Sequence, residues 1–259
     1  MITIKKVTLN VSDLDKLTVF YNEVIGLEII SQNSKQSLLG VDGEGLLELI
    51  KVNTTKNPKE AGLYHVAFLL PTKKAMGEKI KDFIDRQIGI TGAADHGYSG
   101  ALYLDDPEQN GIEIYYDKPV SEWNILEDGQ IVGVTEPLDI QDVLEGVTDA
   151  SKMFPKGTTI GHIHLSVLNL DETYGFYHDL LQMDLKYKFG KQAFFFADGL
   201  YHHHIGANTW NPMMVNKNSR QNLGLVGFEL EVDEKTYSNN ENRLIDNSGN
   251  LVVLKRKSS

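Results

Sequence analysis

The chain has no cysteine. Disulfides, thiolate metal sites and cysteine nucleophiles are therefore excluded, and any bound metal must be held by histidine, aspartate or glutamate. It has no excess of basic charge either; the net charge of −11 argues against a phosphate-backbone partner, because nucleic-acid binders present a basic face. No apolar run approaches the roughly 20 residues that cross a bilayer. The start, Met1-Ile-Thr-Ile-Lys-Lys6, reads as a strand rather than a signal peptide, so a cytoplasmic protein with neither a nucleic-acid nor a membrane partner is expected.

What is present is a repeat. Val11, Leu14-Asp15 and Phe20-Tyr21 recur as Val167, Leu170-Asp171 and Phe176-Tyr177 at a constant offset of 156. The first copy opens with alternating Val7, Leu9 and Val11, the signature of a half-buried strand. A helix follows over 14–25, with Ser12 or Asp13 as N-cap and Gly26 past its end. Short strands are expected over 27–31, 36–41 and 46–52. The same β-α-β-β-β order returns from Tyr64, with a helix over 72–87 and strands near 92–96, 101–104 and 112–116. A connector holding Pro119, Pro137 and Pro155 then leads to a third unit from Thr159 and a fourth over 223–257. The fourth aligns to the second through Asp246-Asn-Ser-Gly-Asn250 against Asp106-Pro-Glu-Gln-Asn110, and Ser238–Asn242 stand where a helix is expected. That unit reads as shortened, its helix lost. The expected fold is α+β: four βαβββ modules paired into two cup-shaped half-barrel domains, residues 1–118 and 158–259, joined by connector 119–157.

Four such modules resemble the vicinal oxygen chelate superfamily of glyoxalase, bleomycin-resistance and extradiol-dioxygenase proteins. Asp106-Pro-Glu-Gln-Asn-Gly-Ile-Glu-Ile114 is similar to that superfamily's usual turn-strand ending. Asp95-His-Gly-Tyr-Ser-Gly-Ala-Leu-Tyr-Leu104, Tyr116-Asp-Lys-Pro119 followed by Trp123, Gly161-His-Ile-His-Leu165 and Tyr201-His-His-His-Ile-Gly-Ala-Asn-Thr-Trp210 resemble the catechol-2,3-dioxygenase-like ring-cleaving branch.

The resemblance implies a divalent metal held by inward side chains of the first and last strands of each module pair. Taking consecutive modules as pairs, the N-terminal half offers Lys6, Glu48, His65 and Glu113 at these positions, and the C-terminal half His162, His204, Gly227 and Val253. Glu229, two residues beyond Gly227, shares its face. The metal set expected is thus His162, His204 and Glu229, with His65, Glu113 and Glu48 as the rival site. Two imidazoles and a carboxylate suit Fe(II), with Mn(II) or Zn(II) as alternatives. His164 and His203 are the expected acid/base groups. His96, in a Gly-rich loop, reads as a solvated histidine. The implied activity is extradiol ring cleavage of a small aromatic diol by O₂, with a homodimer allowed. The alternatives are a glyoxalase-type isomerase or lyase using the N-terminal cup, and a non-catalytic small-molecule binder.

Overall fold

The computed structural model describes residues 2–238 and 242–257. Module one comprises β1 (Thr3–Val11), α1 (Leu14–Phe20), β2 (Glu28–Gln32), β3 (Gln36–Val41) and β4 (Glu44–Lys51). The Asp13 side chain accepts from the Lys16 backbone N–H and caps α1, which runs on as a wider turn to Ile25. Gly26 ends it in the left-handed region at φ 101°, where a side chain would strain the backbone.

Module two is β5 (Gly62–Leu70), α2 (Lys73–Asp85), β6 (Gly92–Asp95), β7 (Ser99–Asp105) and β8 (Gly111–Asp117). The connector carries a two-residue strand β9 (Glu136–Pro137) and a short helix α3 (Ile140–Leu144). Module three is β10 (Thr159–Ser166), α4 (Leu170–Tyr174), β11 (Asp184–Phe189), β12 (Ala193–Ala197) and β13 (Ile205–Asn208). Module four keeps β14 (Gly224–Val232), α5 (Glu234–Ser238), β15 (Arg243–Ile245) and β16 (Leu251–Arg256). It is shortened, as expected, but has not lost its helix: α5 supplies five residues that end on Ser238, the first residue of the segment where the helix reads as lost. Residues 239–241 of that segment lie outside the described residues.

The expected pairing of consecutive modules is not what forms. β10 runs antiparallel to β5, and β1 antiparallel to β14. Modules two and three therefore make one cup and modules one and four the other, each drawing one module from either side of the connector. The cups meet where β1 touches β10, at Ile4 and Ile160. One face of this seam is apolar, and the core runs beneath it: Val7, Leu9, Phe68, Ile163, Leu165 and Phe228 are all buried. The connector packs back on modules two and three, through β9 against β6 and the Ile131 N–H to the Lys186 carbonyl (3.0 Å).

The repeated Phe-Tyr pair ties consecutive modules together. Tyr21 donates to Asp106 (2.9 Å) and Tyr177 to Asp246 (3.0 Å). Each aspartate also accepts from the backbone N–H four residues on, closing the turn before the last strand. No helix among the described residues is long and apolar enough to cross a membrane.

Candidate active site

Strand register brings three chemical side chains to one point. On β5, Ala67 lies opposite both His162 of β10 and Glu113 of β8, and His65 lies two residues before it on the same face. A methyl group at 67 leaves room for the flanking side chains to converge. His65 Nε2 is 3.0 Å from Glu113 Oε2, His162 Nε2 is 3.1 Å from the same oxygen, and the two nitrogens are 3.3 Å apart. All three residues are buried.

The donor set fits a divalent cation. Atoms bound to one ion at ~2.1 Å and tetrahedral or octahedral angles lie about 3.0–3.4 Å apart, the spacing seen here. Burial, only partly offset by the Glu113 charge, pushes His162 down to about 4, so its ring is neutral. Burial alone would raise the Glu113 carboxyl, but its interactions with His162 and His65 hold it well below the usual carboxylate range. Neutral imidazole and ionised carboxylate are the forms that ligate a metal. The His162 Nδ1 is buried without a hydrogen-bond partner, so this ring lacks the outer hydrogen bond common among metal-bound histidines.

The set is drawn from both expected sites and matches neither. Glu229 and Glu48 lie in the other cup, where Lys6 Nζ bridges them at 3.3 and 3.2 Å. Thr8 also donates to Glu48 (3.0 Å). His204 is turned away; its Nδ1 accepts from the Asp198 N–H at 3.3 Å, and its ring lies against Tyr201. The gapless equivalence of Glu48 with His204 fails by two residues. Thr8 pairs with Glu48 across β1 and β4, whereas its counterpart His164 pairs with Gly206 across β10 and β13. The loop joining β12 to β13 spans 198–204 where the loop joining β3 to β4 spans only 42–43. The His202–His204 run therefore sits in this loop and not on a strand. Gly206 closes the remaining corner: a Cβ there would stand 2.9 Å from the His164 ring.

The expected acid/base pair does flank the triad. The His203 and His162 rings are 4.2 Å apart, and His164 lies 5.0 Å from His65. Burial, followed by neighbouring imidazoles, holds both rings well below the usual histidine range. His164 Nε2 is buried with no protein partner. His65, His162, His164 and His203 line a cavity of about 620 Å³, which Tyr187, Phe195 and Trp210 also line, whereas His202 and His204 do not reach it. No lysine or arginine lines it among the described residues.

His96 is not a solvated histidine. Its Nδ1 donates to the Val134 carbonyl (2.9 Å), which leaves Nε2 to accept from the Tyr103 hydroxyl (2.6 Å) at the cavity wall. Burial, reinforced by the Glu113 charge, holds Tyr103 well above the ordinary phenol range. Tyr103, Tyr115 and Asp117 were not singled out from the sequence. Period-two spacing from Glu113 through Tyr115 to Asp117 was the available signal. Tyr115 needs Gly161 beside it, since a Cβ at 161 would overlap its hydroxyl.

A catechol-2,3-dioxygenase from Bacillus subtilis (strain 168) is 39 % identical over 208 residues, spanning 78 % of this chain and 73 % of that protein. This chain belongs to the glyoxalase/bleomycin resistance protein/dioxygenase superfamily. Residues 3–114 match that superfamily directly. Among solved structures, a protein from Bacillus subtilis subsp. subtilis str. 168 superposes with a TM-score of 0.63 at 14 % identity, covering 98 % of this chain and 84 % of its own. Glyoxalase I from Zea mays gives 0.57 at 13 % identity, covering 98 % and 92 %. These structures speak for the superfamily fold alone. The superfamily implies a divalent metal, consistent with the buried His-Glu-His cluster.

Proposed function

We propose that this chain is a metal-dependent, extradiol-type oxidoreductase that resembles catechol 2,3-dioxygenase and opens the ring of a small aromatic diol with O₂. One observation carries the reading: a buried cluster of two imidazoles and a carboxylate borders an aromatic-walled cavity, in a chain 39 % identical to a catechol-2,3-dioxygenase. His65, Glu113 and His162 would hold the ion, for which Fe(II) fits best because this ligand set leaves positions open for the diol and O₂. When bound, the ion supplies Lewis acidity toward the diol oxygens and a site for O₂.

The protein's own groups do the rest. Tyr187, Phe195 and Trp210 enclose an aromatic ring and exclude water. The absence of cationic lining favours a neutral diol over a carboxylated one. His203, neutral and beside His162, accepts a hydroxyl proton of the diol and returns it when the ring opens. His164 stands on the opposite flank, between Tyr64 and Trp210, where it borders the bound ring. Tyr103, fixed by its bond to His96, presents a phenol at the wall. Both atoms of O₂ enter the ring-opened product.

The test is anaerobic loading with Fe(II), followed by a neutral catechol in air-saturated buffer. A yellow ring-opened product is expected, with one O₂ taken up per catechol consumed. No colour and no O₂ uptake across a panel of catechols overturns the reading.

A further inference from the structure

The long loop after β12 sets His202 and His203 side by side, and their hydrogen bonds allow one arrangement of protons when both rings are neutral. His202 Nε2 lies 2.9 Å from Asp117 Oδ1. An ionised carboxylate only accepts, so His202 carries its proton on Nε2. His202 Nδ1 is then a lone pair, and it lies 2.8 Å from His203 Nδ1. A bond between two nitrogens needs one proton, and only His203 has it to give. The His203 Nε2 edge is left bare, and no protein group bonds to it among the described residues.

The chain of groups is held rigidly. Tyr98 stacks on His202 with ring centroids 4.2 Å apart and planes 12° from parallel. Trp123 closes the other side, and His202 is buried. Asp117 sits four residues past Glu113 on the same face of β8. It also faces Tyr201, whose hydroxyl is 2.7 Å from that of Tyr115.

We infer that Asp117 and His202 are positioning residues that hold His203 as its Nδ1–H tautomer, with Nε2 bare as the proton acceptor for the substrate. The inference rests on the proposed role of His203, and it extends that role to two residues that touch neither substrate nor metal. Without the chain, the ring would be free to adopt the other tautomer, which presents a proton where a lone pair is required.

Two readouts test it. In the full-length protein labelled with ¹⁵N-histidine, loaded with Zn(II) as a diamagnetic ion, long-range ¹H–¹⁵N correlations should show His203 protonated at Nδ1 and bare at Nε2. Asp117→Asn should mix the tautomers and lower kcat about 100-fold, with KM for catechol changed less than threefold and Fe(II) content unchanged. Asp117→Glu should recover most of the loss. A wild-type His203 protonated at Nε2 overturns the inference. So does an Asp117→Asn protein with kcat within twofold of wild type, or one that loses Fe(II) content and thermal stability along with kcat. If the wild-type protein cleaves no catechol, the proposed function fails, while the tautomer measurement still decides this point.

Discussion

The two cups share one frame and carry opposite chemistry. In each, two first strands run antiparallel and a last strand runs parallel beside one of them. In the cup of modules two and three, Ala67 occupies the centre and His162, His65 and Glu113 close around it. The register puts Glu229 at the position of Ala67, Lys6 at that of His162, Gly227 at that of His65 and Val253 at that of Glu113. The first cup concentrates lone pairs, with side chains only 3–8 % exposed. The second fills the same place with an ammonium between two carboxylates, at 21–23 % exposure. An ion pair neutralises itself, whereas a buried cluster of lone pairs facing one another is stabilised by a cation. All eight histidines of the chain belong to modules two and three.

The largest expected effect separates the cups directly. Glu113→Gln removes the anionic ligand and should abolish Fe(II) retention, lowering O₂ uptake by at least about 10³-fold. Glu229→Gln should leave one Fe(II) per chain and full activity. Metal analysis of both variants after gel filtration checks this. Loss of metal from the Glu229 variant would mean that the lysine cup, and not the histidine cup, is the metal site.

Most of this contrast was written in the sequence but misgrouped there. His65, Glu113 and His162 were each marked by the repeat, because strand periodicity is local. Their assembly depends on β5 meeting β10 across the connector, a long-range pairing to which local patterns are blind. The offset of 156 correctly makes Lys6 the counterpart of His162 in the other cup. It failed at Glu48 because the 198–204 loop is longer than its counterpart at 42–43. The same insertion carried His202–His204 off the strand, so alternation could not predict where those rings point. The confinement of histidine to the middle of the chain matches the pairing of modules two and three in one cup.

The cups should also differ in their response to acid. Burial holds His162 and His204 down to about 4, against roughly 6.5 in an unfolded chain. Below pH 6.5 the unfolded chain binds protons that these folded rings refuse. Their contribution is thus fully present above 6.5 and is lost as pH falls toward 4. Each ring should cost about 2 kcal/mol between pH 6.5 and 5 in the metal-free protein. Lys6 has the opposite sign. Burial opposes its charge, but Glu48 and Glu229 outweigh that and raise it. Its contribution is present below 10.5 and lost only as pH rises past its raised value, so Lys6 adds no pH dependence between pH 5 and 8. Urea unfolding at pH 7.5 and 5 should show the loss, and His204→Gln should reduce the slope. An unchanged slope in that variant would show that His204 is not held neutral.

Removing the lysine tests the second cup more gently. Lys6→Met leaves Glu48 and Glu229 half-buried without their shared cation, which should cost about 1–2 kcal/mol by urea unfolding at pH 7.5. Lys6→Met combined with Glu229→Gln should recover part of this, because the remaining carboxylate keeps the Thr8 hydroxyl. Additive losses would mean that the ammonium is not neutralising that carboxylate.

A loss of similar size asks whether the shared frame is equally firm on both sides. Tyr21 and Tyr177 are fully buried, and each gives its hydroxyl to the aspartate of a closing turn. Tyr21→Phe and Tyr177→Phe should each cost about 1–2 kcal/mol, the price of a buried carboxylate oxygen losing a donor. Each aspartate oxygen still accepts from an asparagine amide, from Asn110 or Asn250, which keeps the loss at that scale. Activity and Fe(II) content should not change in either variant. Equal losses would show that the turn-locking contact was retained on both sides while the side chains inside the cups diverged. A loss confined to Tyr21→Phe would instead mean that the shortened fourth module no longer depends on its turn.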